Sequence, residues 1–196
     1  MATLQALLAS KDQSVRLKAA LAAGTYPEID FIEILINQCA IEVDFFVRDT
    51  LSWALMRQDR ATVIEKLAPQ LKSKNPQARS QALHTLSKIG DPNNFHMITR
   101  EHLLDADDFV ASTAWRAASV IVPEDKKDEL VAILVSQLGR GDSDTQFGLT
   151  RFLCAIGDPI IAPLKAATES TNEEIRIHAN FTLMRFNEMK LDLLDD

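Results

Sequence analysis

Apolar side chains recur along this chain with two periods, a short one of about four residues and a long one of 30 to 35. Aligned on a step from an apolar or small residue to a basic one, the chain shows Val15-Arg16, Val47-Arg48, Ala78-Arg79 and Ile175-Arg176. Val110-Ala111 and Thr145-Gln146 stand at the same point of the cycle. Four residues after these anchors come Ala19, Leu51, Ala82, Ala114, Leu149 and Ala179. Eight residues after come Ala23, Leu55, Leu86, Ala118, Leu153 and Leu183. At 100° per residue, positions zero, four and eight share one stripe, so each segment predicts an amphipathic helix with one face committed to a core.

The starts and stops of these helices repeat too. Asp12, Asp44, Asn75, Asp107, Asp142 and Asn172 each stand three residues before an anchor. An Asp or Asn there accepts a hydrogen bond from an unpaired amide of the first turn, worth roughly 1 kcal/mol per helix. Pro76 suits the first helical position, where no amide hydrogen is needed. Gly24, Gly90 and Gly157 are read as helix ends, with Pro27, Pro92, Pro123 and Pro159 blocking continuation. Second apolar helices are expected over 29–41, 61–72, 94–104, 125–138 and 160–168, with a leading helix in the first ten residues. The expected fold is all-α, about six helix pairs joined by short loops.

A period near 32 also raises tetratricopeptide and ankyrin repeats, but neither the Trp-Leu-Gly-Tyr spacing of the first nor the Thr-Pro-Leu-His of the second occurs. The Val-Arg-x-x-Ala-Ala start at Val15 to Ala20, the turn Ile89-Gly90-Asp91-Pro92 and its copy Ile156-Gly157-Asp158-Pro159 resemble HEAT repeats of the short, phycobilisome-lyase-like type. The resemblance covers nearly the whole chain. It implies an α-α superhelix whose concave surface is lined by the helices that begin at the anchors. It implies little about activity, because function resides in sites grafted on folds.

Composition narrows this further. The 196 residues are 46% apolar and 25% charged, with six glycines and seven prolines scattered and no segment that reads as a linker. A single repeat domain over 1–196 is therefore expected. The longest apolar runs, such as Val131 to Val135, fall short of the roughly 18 residues of a membrane span. No basic leader precedes the first apolar residues, so no signal peptide is read and a cytoplasmic location is expected. Cys39 and Cys154 form no CxxC pair and read as two buried thiols.

On the concave surface implied by the resemblance, helical spacing presents the residues three, six and ten after each anchor. Position six reads Leu21, Trp53, His84, Arg116, Arg151 and Phe181, and position three Lys18, Thr50, Gln81, Thr113, Gly148 and His178. Position ten adds Arg57, Lys88 and Arg185. The eleven-residue windows from each anchor hold ten Lys or Arg and one acid, Asp49, although the chain has 28 acids against 21 bases and a net charge of −7. Acids are thus expected in caps, turns and outer helices, and bases on the inner ridge. Arg16, Arg48, Arg79 and Arg176 occupy one repeated position and are expected to pair with loop carboxylates of neighbouring repeats. Trp115 reads as core and Trp53 as a ridge residue. The candidate partner-binding residues are Trp53, Arg57, His84, Lys88, Arg116, Arg151, Phe181 and Arg185. The acidic tail from Asp192 to Asp196 is expected to solvate the last repeat.

No catalytic residue, metal site or cofactor is assigned. The four histidines make no HExxH pair, and Glu101-His102 reverses the His-Glu dipeptide of the di-iron hydroxylases built on HEAT-like repeats. His96 and His102 read as exposed. His84 has no Ser or Cys with an orienting acid beside it, and there is no phosphate-cradling glycine loop. A bilin groove has no separate signal. The segment Asp44 to Leu55, with Phe45-Phe46 followed by Trp53, is similar to one in DNA alkylation-repair glycosylases of HEAT-like fold. That alternative implies a carboxylate in the groove, and Asp49 is the sole acid of the inner windows. A pI near 5.1 disfavours nucleic acid as partner. The reading is a non-enzymatic interaction module whose partner is a protein segment, acidic or phosphate-bearing, with no membrane role and no indication of oligomeric state.

Overall fold

The computed structural model describes residues 3–192, and the chain divides into two compact units, Met1–Gly90 and Asp91–Asp196. The acidic tail from residue 193 lies outside the described residues. Every regular element among the described residues is helical.

The first unit holds α1 (Leu4–Leu8), α2 (Gln13–Thr25), α3 (Phe31–Cys39), α4 (Phe45–Met56), α5 (Arg60–Leu71) and α6 (Pro76–Ile89). They pack as the pairs α1 with α2, α3 with α4 and α5 with α6, and α2, α4 and α6 also pack in sequence. In the second unit each pair opens with a 3-10 turn. Pro92–Met97 leads into α7 (Arg100–Leu103) and α8 (Asp108–Ile121). Glu124–Lys126 leads into α9 (Lys127–Val135) and α10 (Ser143–Ile156). Asp158–Ile160 leads into α11 (Ile161–Ala167) and α12 (Glu173–Asp192). Here too α8, α10 and α12 pack in sequence.

The repeated stripe is the core. All six residues at position four are buried, from Ala19 at 3% exposure to Leu51, Ala114, Leu149 and Ala179 at 0%. Position eight is buried in five repeats, while Leu183 is half-buried. The six expected caps all accept an amide of their helix's first turn, as in Asp12 from Ser14, Asn75 from Gln77 and Asp142 from Thr145.

Of the second helices, α5 has its expected length and the others are shorter than expected. Ile29 and Ile41, at the ends of the 29–41 expectation, are exposed and lie outside α3. The helix expected over 94–104 is two pieces, because Thr99 restarts it. The Thr99 amide donates to His102 Nδ1 at 3.0 Å in a capping box. His102 is therefore buried, not exposed as read, whereas His96 is exposed. Gly90 does end its helix in the left-handed region, at φ 66°.

Candidate functional site

The four anchor arginines show how loops and helices are joined. Each sends Nη1 to the carbonyl six residues behind it: Arg16 to Ser10, Arg48 to Glu42, Arg79 to Ser73 and Arg176 to Ser170, at 2.8–3.0 Å. The expected pairing with carboxylates of neighbouring repeats holds for Arg16, which donates to both Glu42 oxygens at 2.8 and 2.9 Å. The rule common to all four is carbonyl capture within the repeat, since the loop before each helix turns its backbone oxygens towards the first helical turn. Burial alone would raise the Glu42 carboxyl, but hydrogen bonds from Arg16, the Asp44 amide and Gln38 outweigh it and hold the pKa below the usual range.

The fourth repeat has Ala111 where the others have arginine. Its equivalent carbonyl, Asp105 O, is taken by Arg140 from the next loop. Arg140 also pairs with Asp108 at 2.8 Å and lies over the Trp115 ring, 5.7 Å from its centre. Sequence reasoning passed over Arg140; the vacancy at Ala111 is the signal that could have found it. Trp115 is fully buried, as expected, and donates Nε1–H to Leu103 O at 2.8 Å.

The ridge residues behave differently. Arg57, Lys88, Arg116 and Arg151 are exposed, and none has a hydrogen-bond or ion-pair partner for its side chain among the described residues. Arg185 is exposed too and pairs with Glu188 at 2.6 Å. His84 is half-buried and hydrogen-bonded or otherwise engaged. In the first unit the ridge holds Trp53, Arg57, His84 and Lys88. In the second it holds Arg116, Arg151, Phe181 and Arg185, joined by Phe147, whose ring centre is 6.5 Å from that of Phe181.

Trp53 is 42% exposed, and its inner side rests on Gly24. A Cβ at Gly24 would stand 2.2 Å from the indole. Gly24 stands one residue before the end of α2 at Thr25, and the missing side chain makes room for Trp53. Phe45 and Phe46 are exposed edge to face at the start of α4, and Asp49 is exposed one turn before Trp53.

Position three does not uniformly face outwards. Gln81 and His178 are buried there. His178 accepts the Gly139 amide on Nδ1 at 3.0 Å, which leaves Nε2 to donate to Thr150 Oγ1 at 3.1 Å. Thr150 then bonds Thr182 Oγ1 at 2.9 Å, and Thr182 closes the circuit on the His178 carbonyl. Burial lowers the His178 pKa and keeps the ring neutral. Both cysteines are buried, and burial pushes Cys39 up to about 12. Among the described residues no three His, Cys, Asp or Glu side chains converge as a metal would need. No helix there is long and apolar enough to cross a membrane.

Charge divides unevenly between the units. Met1–Gly90 has eleven Lys or Arg and nine Asp or Glu, a net +2; Asp91–Asp196 has ten and nineteen, a net −9.

No family model matches the chain, and no curated protein does. Among solved structures it is similar to a designed armadillo repeat protein in complex with the peptide (KR)4, at 14% identity and a TM-score of 0.49, over 93% of this chain and 98% of that one.

Proposed function

We propose that the chain is a non-enzymatic scaffold of short HEAT-like repeats that holds a segment of a partner protein on the ridge of its anchor helices. One observation carries this reading. The anchor arginines donate to carbonyls inside the protein, whereas Arg57, Lys88, Arg116 and Arg151, at repeat positions six and ten, are exposed and have no side-chain partner among the described residues. Within each unit, cations held out on the anchor helices accompany a half-exposed aromatic, Trp53 in the first and Phe181 in the second, and offer hydrogen bonds and apolar area to a ligand of that unit. Repeats suit this task because each adds one or two contacts to an extended partner.

The test is capture of partners from native lysate, with and without nuclease, by wild type, Arg57→Glu/Lys88→Glu and Arg116→Glu/Arg151→Glu. Capture that survives nuclease and drops in a variant of unchanged thermal midpoint supports the scaffold. Equal capture by all three proteins overturns the ridge as the site, and capture that vanishes with nuclease turns the reading towards nucleic acid.

A further inference from the structure

The first unit arranges its ridge in two rows. Its inner helices α4 and α6 pack on each other, and the repeat places Trp53 and His84 at position six of the two helices. Arg57 and Lys88 follow four residues on, about one helical turn or 5.4 Å further along the axis. The result is an aromatic row beside a basic row. Asp49, exposed one turn before Trp53, puts a negative charge on the opposite flank of the aromatic row. A carboxylate is thus repelled on one side of Trp53 and drawn to the other.

An extended chain turns successive side chains to opposite sides, with those on one side about 6.6–6.8 Å apart. Laid in the furrow between the rows, it sends alternate side chains to the aromatics and to the cations. Resting on the scaffold reading above, we infer that the first unit binds an extended protein segment in which acidic residues alternate with large apolar ones. Charge complementarity selects the acidic member of this pattern: the unit is net +2 in a chain of net −7, and neither cation has a side-chain partner among the described residues. Trp53 selects the apolar member, since Gly24 seats its inner side and leaves the outer one bare.

Arg57 and Lys88 also stand at the C-terminal ends of their helices, where any cation is favoured by the helix dipole. The experiment separates this role from binding. Fluorescence anisotropy would compare a labelled octapeptide of alternating Glu and Leu, a peptide of the same composition with Glu and Leu in two blocks, and a single-stranded oligothymidylate. The expected result is about tenfold tighter binding of the alternating peptide than of the block peptide. Arg57→Gln/Lys88→Gln and, separately, Trp53→Leu should each weaken it about tenfold while circular dichroism shows an intact helical fold.

Equal binding of both peptides, weakened alike by the variants, overturns the alternation and leaves the scaffold reading standing. Peptide binding untouched by the variants overturns the two-row site. Binding of the oligothymidylate alone overturns both this inference and the protein-scaffold reading. A variant that lowers the thermal midpoint yet binds the alternating peptide as wild type assigns the two cations to the helix ends and likewise overturns the inference.

Discussion

A methyl group at position 24 would meet the Trp53 ring at 2.2 Å, so the bare backbone of Gly24 is what lets the indole lie against α2. The colliding atoms are the far edge of a side chain that can swing outwards. Alanine also favours an interior helical position over glycine by about 1 kcal/mol. Gly24→Ala should therefore leave stability within about 1 kcal/mol of wild type while displacing the indole. Acrylamide quenching reads the displacement, because Trp115 is fully buried and contributes a constant background. Increased quenching with weakened partner capture is expected; unchanged quenching would show that α2, not Trp53, gives way. The exposure of Trp53 was legible from its place six residues after an anchor. The role of Gly24 was not, because a glycine near a helix end reads first as a stop signal, and its neighbour across the helix pair is invisible to local spacing. The same limit applies to the arginine ladder: the acceptor common to its four members is a backbone carbonyl, which no residue type marks.

Between helices, the polar joint of α10 and α12 has a defined proton arrangement. His178 must be neutral to accept the Gly139 amide, and burial depresses its pKa below the unfolded value. In the window between the two pKa values the unfolded chain binds more protons than the folded one, so this residue's contribution is present above about pH 6.5 and is lost as pH falls through the folded pKa. Urea unfolding from pH 7.5 downwards should show a decline that His178→Gln flattens, although that variant starts from lower stability. An undiminished decline in the variant would move the acid sensitivity elsewhere, with the Glu42 carboxylate next in line at lower pH. The elements themselves were legible in unequal measure. The anchor helices carry apolar residues at positions four and eight and a side-chain cap; all six start at or next to the expected cap, and the three with an expected glycine end stop within one residue of it. Around α3 the apolar run reaches past the packed face at Ile29 and Ile41, so hydrophobicity overstated its length, whereas α5 has the length expected of it. In the second unit Pro92 opens one 3-10 turn, Pro123 precedes another and Pro159 lies within the third, in place of a direct helix start.

For the molecule as a whole, the charge sum of −7 conceals units of net +2 and net −9. An acidic partner approaching Arg57 and Lys88 meets a unit whose long-range field and contact cations act in the same sense. One approaching Arg116 and Arg151 is attracted at contact by cations set in a unit of opposite overall sign. Salt screens exposed charges beyond a Debye length, about 10 Å at 0.1 M and 3 Å at 1 M. It therefore removes attraction in the first unit but both attraction and repulsion in the second. The expected outcome is that capture of the partner weakens as salt rises, and that Arg57→Gln/Lys88→Gln flattens this dependence more than Arg116→Gln/Arg151→Gln does. Affinity measured from 0.05 to 0.5 M salt for the three proteins decides it. Equal flattening by the two variants would mean that contact pairs alone set the salt response and that the field of each unit contributes nothing, whereas flattening confined to the second variant would place the acidic segment on Arg116 and Arg151 instead.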